Sequence, residues 1–228
     1  MRRERKGRRV SKNTVVVTGA AGALGHAVVA KLHGAGLEVV GLDLAPALRL
    51  PEGVLAVGTD LTDEAAAAAA FATLGPLAGL VNVAGGFAWE KVEEAGSETW
   101  DRLFALNVKT ALNASKAALP SLSAGGAIVN IGAAAAARAN VGMAAYAASK
   151  SAVARLTESL AAELKPRGIR VNTVLPSIID TPANRADMPD ADFASWVTVE
   201  ELANVIAFLL SEEASGVNGA AIPVTGRL

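Results

Sequence analysis

The sequence predicts an α/β fold, a doubly wound parallel sheet of about seven strands with helices on both faces. Three observations carry that expectation. Short apolar runs alternate with longer helical stretches along most of the chain. The runs are continuous in Val, Ile, Leu and Ala, as in strands covered on both faces. A glycine-rich turn, Thr18-Gly19-Ala20-Ala21-Gly22-Ala23-Leu24-Gly25, joins the first strand to the first helix.

The elements follow in order. Residues 14–18 form a short apolar strand that enters the glycine turn, and 24–35 form a helix closed by Gly34 or Gly36. Strands are expected at 38–43 and 54–57. Asp63 caps an alanine-rich helix that runs to Thr73; its alanines are helix formers. A strand at 80–83 ends in Ala84-Gly85-Gly86, and 97–119 is one long or broken helix stopped near Pro120. A strand at 127–131 precedes a long helix at 144–164, ended by Pro166 and Gly168. Residues 170–174 are a strand, 199–210 a helix and 221–224 the last strand. Right-handed crossovers place the strand ends, and any ligand, along one edge. No repeat at a solenoid period is present, so residues 14–228 are expected to form one domain.

Composition narrows the chemistry. The chain has no cysteine, which removes disulfides, thiolate nucleophiles and zinc–thiolate sites and fits a reducing, cytoplasmic setting. No long uncharged apolar stretch suggests a membrane span, and the basic N-terminus lacks the apolar core of a secretory signal. The net charge of −1 hides an asymmetry: residues 1–13 hold seven Lys and Arg against Glu4, so this arm is +6 and the remainder −7. A solvated, disordered tail is the favoured reading of the arm over an anion-binding one. The acidic remainder argues against a nucleic-acid-binding body. His26 and His33, seven apart on one helix, have no partners for a metal site, and no Gly-x-Ser-x-Gly elbow supports hydrolysis.

The first half of the chain points to a dinucleotide. Gly19, Gly22 and Gly25 let backbone approach a pyrophosphate, with Ala21, Ala23 and Leu24 completing the turn at a helix N-terminus. Asp43 ends the second strand, 24 residues after Gly19, where a carboxylate accepts from the adenosine ribose hydroxyls and repels a 2′-phosphate. Leu44, Ala45 and Pro46 supply no cation, so NAD(H) is favoured over NADP(H). An ordinary loop aspartate is the alternative. Asp60 and Leu61 are placed at the adenine edge, with a cap or turn role as the competing reading. Asn82, Ala84 and Gly85 lie at a strand end where the cofactor needs room; Asn82 has a second reading as a tie between strands.

The second half supplies an acid–base pair. Tyr146 and Lys150 are four apart on the long helix and share a face. A phenol with a pKa of about 10 exchanges protons poorly near neutrality, and a neighbouring cation is expected to lower it. A dinucleotide turn with a tuned tyrosine implies hydride transfer coupled to proton transfer.

These motifs resemble the short-chain dehydrogenase/reductase superfamily over residues 14–228. The matching segments are the glycine turn, Asn82-Val83-Ala84-Gly85, Asn107, Tyr146-xxx-Lys150, Arg170-Val171-Asn172 running to Pro176, and Thr181-Pro182. The resemblance implies a Rossmann-type domain that binds NAD(P)(H) and acts on a small molecule as a homodimer or homotetramer. It makes Tyr146 the general acid/base, Lys150 the nicotinamide-ribose ligand and Asn107 the holder of a relay water. Pro176 and Thr181 then fall among the cofactor contacts.

One position departs from the pattern. The family's serine lies 13 residues before the tyrosine, and Ala133 stands there. Ser115, Ser121, Ser123 and Ser149 are in the wrong places to replace it. The middle glycine is displaced as well, with Ala23 where the family has it and Gly22 one residue earlier. Losing one donor to a developing oxyanion costs about 10²–10³ in rate for a simple ketone. Three explanations stand: an inactive relative, a substitute donor, or a conjugated substrate that spreads its charge. Val83-Ala84-Gly85-Gly86-Phe87-Ala88, Gly132-Ala133 and above all Asp180-Thr181-Pro182-Ala183-Asn184-Arg185 through Met188-Pro189-Asp190-Ala191-Asp192-Phe193-Ala194-Ser195-Trp196 resemble dihydropteridine reductases. That closer resemblance implies NADH-dependent reduction of a quinonoid ring by a dimer packed through its long helices. Phe87 and Trp89 are candidates to stack on a flat substrate beside Ala133, with core or interface packing as the even alternative. Trp196 is expected on a lid over the site, and Asn184 and Arg185 are expected to hold that lid by capping or ion pairing.

Overall fold

The computed structural model describes residues 14–44 and 50–228. The basic arm, residues 1–13, lies outside the described residues, as do Ala45 and Pro46 beyond Asp43. The chain runs β1 (Thr14–Thr18), α1 (Ala23–Gly34), β2 (Glu38–Asp43), β3 (Leu55–Gly58), α2 (Glu64–Ala72), β4 (Leu77–Asn82) and α3 (Ser97–Phe104). A π turn (Ala105–Lys109) leads into α4 (Thr110–Ala118), followed by β5 (Leu122–Ile131) and α5 (Ala144–Leu164). The chain closes with β6 (Arg170–Pro176), α6 (Pro182–Asp187), α7 (Val199–Leu210) and β7 (Ala221–Val224).

The seven strands form one parallel sheet in the order β3-β2-β1-β4-β5-β6-β7, the doubly wound arrangement expected. The two-residue period of a strand divides the apolar residues between two cores. Val15 and Val17 of β1 pack with Val28 and Leu32 of α1 and with Leu202, Ile206 and Leu209 of α7. Val16, between them, faces Phe71 of α2, Ala114 and Ala118 of α4, and Leu160 and Leu164 of α5. Each such large buried side chain contributes roughly 1.5–3 kcal/mol. The chain winds outward from β1 to β3, then returns to place β4 on the other side of β1. At this reversal the crevice beyond the strand ends opens toward a ligand.

Several boundaries differ from expectation, each for a packing reason. β5 begins at Leu122, five residues early, because Leu122 pairs with Leu77 before a register shift passes over the Gly125-Gly126 bulge. Gly125 has φ +83, a conformation that reads locally as a turn. The expected long helix is broken by the π turn, and Thr110 Oγ1 donates to the Leu106 carbonyl there at 2.6 Å. β4 spans Leu77–Asn82, β6 reaches Pro176, and α6 had no periodic signal in its six residues.

A buried polar ladder crosses the layer between the sheet and its helices. Asn82 Nδ2 donates to Asn130 Oδ1 at 2.8 Å and Ser115 Oγ at 3.1 Å. Asn130 Nδ2 donates to Thr157 Oγ1 at 2.9 Å, and Thr157 donates to the Val153 carbonyl at 2.8 Å. β4, β5, α4 and α5 are therefore joined by buried polar groups. Among the described residues Asn82 Oδ1 is the one buried side-chain oxygen or nitrogen without a partner. Removing the Thr157 hydroxyl strands an Asn130 hydrogen in the core. Thr157→Val is expected to lose roughly 1–3 kcal/mol, read as a melting temperature lowered by several degrees with dinucleotide affinity unchanged.

Candidate active site

The glycine turn is built by close backbone approaches. Gly19 has φ +65, and a Cβ there would lie 2.7 Å from the Ala84 nitrogen. A Cβ on Gly25 would collide with the Gly19 carbonyl oxygen. Gly22 is less constrained, with an added Cβ 3.4 Å from that same oxygen, and Ala23 opens α1 without strain. Leu24 is buried in the core, whereas Ala21, Gly22 and Ala23 are exposed. α1 has no side-chain cap and no acidic residue in its first turn, so its leading N–H groups point at an open anion site. These features fit a pyrophosphate: the space is shaped by absent side chains, and the donors lack partners within the helix.

Two side chains hold the turn in place. Asp43 Oδ2 accepts from the Ala21 N–H at 2.9 Å, so the carboxylate at the end of β2 is tied to the phosphate turn. Thr18 Oγ1 accepts from both the Val83 and Ala84 N–H groups at 3.1 Å, clamping β1 to the exit of β4. Thr18 was not among the expected site residues. Its signal was its position between a buried strand and the first glycine.

Other expected cofactor contacts also have partners within the protein. Asp60 Oδ1 accepts from the backbone and hydroxyl of Thr62 at 2.9 and 2.7 Å, the turn role. Leu61 is buried in the core, and Asn113 pins its loop by donating to the Leu61 and Thr62 carbonyls. The Asn82 side chain is the strand tie described above. Thr181 caps α6 by accepting from the Asn184 N–H at 3.2 Å, and Pro176 is buried at the end of β6. Asn184 donates to the Ile179 carbonyl, and Arg185 makes a two-toothed pair with Asp180 at 2.6 and 2.7 Å. Trp196 is not a lid surface: it is 2% exposed, packs on Phe193, and sits in a segment bridged to Ile179 through Val197. The aromatic bulk that suggested a cover over ligand is anchored in the protein interior.

Tyr146 and Lys150 lie on the first two turns of α5, with the ammonium nitrogen 6.0 Å from the phenol centroid. Lys150 Nζ is buried and donates to the Ile131 carbonyl at the end of β5 at 2.8 Å. A Cβ on Gly85 would approach that nitrogen to 3.4 Å and would crowd Asn107 Oδ1 at 2.6 Å, which explains a glycine there. Burial pushes the Tyr146 phenol up to about 12 and the Lys150 ammonium down to about 8. The expected lowering of the phenol by its cationic neighbour is thus overturned. Desolvation disfavours both charged forms, and for the phenol it outweighs attraction to the lysine across that distance.

Asn107 is reached through the π turn and is 1% exposed. Its Oδ1 accepts from the Gly86 N–H at 2.9 Å, and its Nδ2 donates to the Gly86 carbonyl at 3.0 Å and to Ser149 Oγ at 2.9 Å. Ser149 in turn donates to the Tyr146 carbonyl at 2.7 Å. Both amide hydrogens are therefore engaged by protein groups, and the side chain anchors the end of β4 to α5. Ser149 replaces no catalytic serine, but it links the acid's helix to that anchor, a role its position beside Lys150 did not reveal. Ala133 is buried beyond the end of β5 and presents a methyl group. Ser115 is committed to Asn82 and buried. Phe87 stands edge-on to the Tyr146 ring, with centroids 4.9 Å apart and planes at 78°. Among the described residues no cluster of metal-ligating side chains occurs, and no helix is long and apolar enough to cross a membrane.

The Lys150 shift has a sign in stability. A group whose folded pKa falls from 10.5 to about 8 gives stability that is present above 10.5 and lost as pH drops through 8. Tyr146, raised from 10.0 to about 12, gives stability that is complete below 10, so the interval from 8 to 10 reports Lys150 alone. The melting temperature is expected to rise across that interval. Lys150→Met is expected to be more stable than the parent at pH 7, by roughly 1–3 kcal/mol, and to show no such rise in thermal melts.

Residues 13–192 match the family model described as short chain dehydrogenase. The chain is 33% identical to L-xylulose reductase of Bos taurus over 236 residues, covering 96% of this chain and 97% of that one. It is 42% identical over 190 residues to inactive 2-(S)-hydroxypropyl-CoM dehydrogenase 2 of Xanthobacter autotrophicus, covering 75% of this chain and 83% of the other. A short-chain type dehydrogenase/reductase from Mycobacterium ulcerans superposes with a TM-score of 0.87 at 31% identity, covering 96% and 90% of the two chains. A blue fluorescent protein from a metagenomic library, solved in complex with NADPH, superposes at 0.86 with 30% identity, covering 96% and 98%. With its doubly wound sheet, glycine turn and tyrosine–lysine helix, this chain belongs to the short-chain dehydrogenase family of NAD(P)-binding oxidoreductases.

Proposed function

We propose that the protein is an NADH-linked reductase of a flat, conjugated acceptor of the quinonoid dihydropteridine type, with Tyr146 as the proton donor. One observation carries this reading. The Tyr146 phenol has the Phe87 ring edge-on at 4.9 Å and the Lys150 ammonium at 6.0 Å, while position 133, where the family has a serine, is a buried alanine with no hydroxyl. A conjugated ring that gains a hydride spreads the resulting charge over several atoms, so one donor suffices. A simple ketone concentrates it on one oxygen and needs the missing partner.

When bound, the dinucleotide supplies the hydride. The chain's own residues do the rest. The Gly19–Gly25 turn and the α1 N-terminus hold the pyrophosphate, and Ala84 and Gly85 leave room beside it. Asp43 receives ribose hydroxyls through its carboxylate while bracing Ala21. Lys150 holds the second ribose, and as a cation it stabilises the phenolate left when Tyr146 gives its proton to the acceptor. The acceptor therefore gains one hydride and one proton. Asn107 and Ser149 position Tyr146 relative to Phe87.

A second reading, reduction or oxidation of an alcohol–ketone pair, is favoured by the relatives' names: L-xylulose reductase and a trans-4-hydroxycyclohexanecarboxylate dehydrogenase of Sinomonas cyclohexanicum. It requires a donor other than residue 133. A dinucleotide-binding protein without turnover is a third reading, supported by Ala133 and by the relative named inactive.

NADH oxidation with quinonoid dihydropterin and with a panel of ketones and ketoses separates the three. Turnover is expected with the quinonoid ring, and Tyr146→Phe is expected to lower kcat by about 10²–10⁴ with NADH affinity within twofold. Turnover confined to the ketone panel selects the second reading, and NADH binding without any turnover selects the third. Asp43→Ala removes both the 2′-phosphate repulsion and the brace on Ala21. It is expected to weaken NADH more than NADPH, so that the preference measured by titration narrows or inverts. A parent enzyme that already prefers NADPH contradicts the cofactor assignment.

A further inference from the structure

Two loops meet beside the general acid through a contact that the catalytic machinery does not use. The loop leaving β4 carries Phe87, Trp89 and Glu90, and the loop entering α5 carries Gly142, four residues before Tyr146. Gly142 has φ +73, and a Cβ there would collide with Cε2, Nε1 and Cδ2 of the Trp89 indole. The indole therefore lies against the glycine backbone. The Glu90 N–H donates to the Gly142 carbonyl at 2.8 Å, fastening the loops at the same point.

The indole is backed by protein yet remains 55% exposed, and Phe87, with its edge contact to Tyr146, is 55% exposed as well. This chain has only nine aromatic residues, three Trp, one Tyr and five Phe. Two of them, Phe87 and Trp89, stand in the loop leaving β4, and a third is the proton donor itself, Tyr146. A half-exposed indole fixed against a glycine has given up its rotational freedom and keeps apolar surface in contact with water. That arrangement costs free energy in the empty protein and recovers it when a planar ring covers the surface.

From this we infer that the Trp89–Gly142 clasp is the specificity-determining wall of the substrate mouth and selects planar conjugated rings over compact polyols or aliphatic ketones. The inference deepens the reductase reading and rests on it for the identity of the site. Phe87 is edge-on to the acid and shapes the reacting end, while Trp89, two residues outward, meets the body of the ring. Glycine is required at 142 both by its backbone angle and by the indole, so the clasp is coded at two positions, 89 and 142, in segments separated by the whole of β5.

The test uses the full chain saturated with NAD+ and oxidised pterin, a planar ring that does not turn over. Trp89→Leu keeps apolar volume and removes the aromatic face; Trp89→Phe keeps a face. Pterin Kd by calorimetry is expected to rise about tenfold or more in Trp89→Leu and to stay within about threefold in Trp89→Phe, with NAD+ Kd unchanged in both. Equal pterin affinity in Trp89→Leu and the parent overturns the inference, as does an equal loss of NAD+ affinity, which marks a general disruption. Failure of the parent to bind pterin overturns it together with the reductase reading. Steady-state turnover of quinonoid dihydropterin distinguishes the two. Trp89-dependent pterin binding without turnover retires the reductase reading and leaves the clasp. Undiminished kcat/KM in Trp89→Leu retires the clasp and leaves the reductase.

Discussion

The two-sided pairing of the Asn107 carboxamide with the backbone of Gly86 is the constraint on which the site depends. The π turn adds a residue to the helical path and delivers Asn107 to the end of β4, and the amide's remaining hydrogen reaches Ser149 on α5. Ser149 then grips the carbonyl of Tyr146 itself. A closed circuit results: Tyr146, Ser149, Asn107, Gly86, and back through Phe87, whose ring rests on the tyrosine. In an interior of low dielectric, every member must be paired or pay a desolvation penalty, so the circuit has one low-energy arrangement. Tyr146 and Phe87 are thereby held as one body, although they come from segments about sixty residues apart.

Burial sets the electrostatics. Lys150 is enclosed with one carbonyl partner from β5, and Tyr146 has no charged partner close enough to offset its burial. The pair therefore begins as neutral phenol and easily discharged ammonium. Burial thus holds the phenol's proton more tightly and the ammonium's more loosely than in water. The phosphate turn shows a related economy. Asp43 braces the turn through Ala21, so a carboxylate at the end of β2 shapes the cradle.

How much of this was legible depended on whether the cause was local. The long helix at 144–164 and the helix at 199–210 were bounded correctly because Pro166, Gly168 and the Thr198–Glu201 capping box are local stop and start signals. The early start of β5 was hidden by Gly125 and Gly126, which look like a turn in isolation and become a bulge only when Leu122 finds Leu77. Trp196 looked like a lid because its stretch is polar and irregular; its ring is buried through contacts with Phe193 and with the strand bridge at Val197. Thr18 and Ser149 were overlooked because a hydroxyl's partner is invisible along the chain, and each binds a segment far from its own neighbours or a group already assigned to the helix.

By itself the sequence determined the parallel doubly wound class, the dinucleotide turn and the shared face of Tyr146 and Lys150, because strand period, glycine spacing and helical repeat act over a few residues. It also determined that residue 133 brings a methyl and no hydroxyl. Only the tertiary structure showed that burial pushes the phenol up, that the Asn107 side chain ties Gly86 to α5, and that Asp60, Leu61 and Asn82 have partners within the scaffold. Proton affinity and hydrogen-bond commitment follow from burial, and burial is created by elements that meet only when the chain has folded.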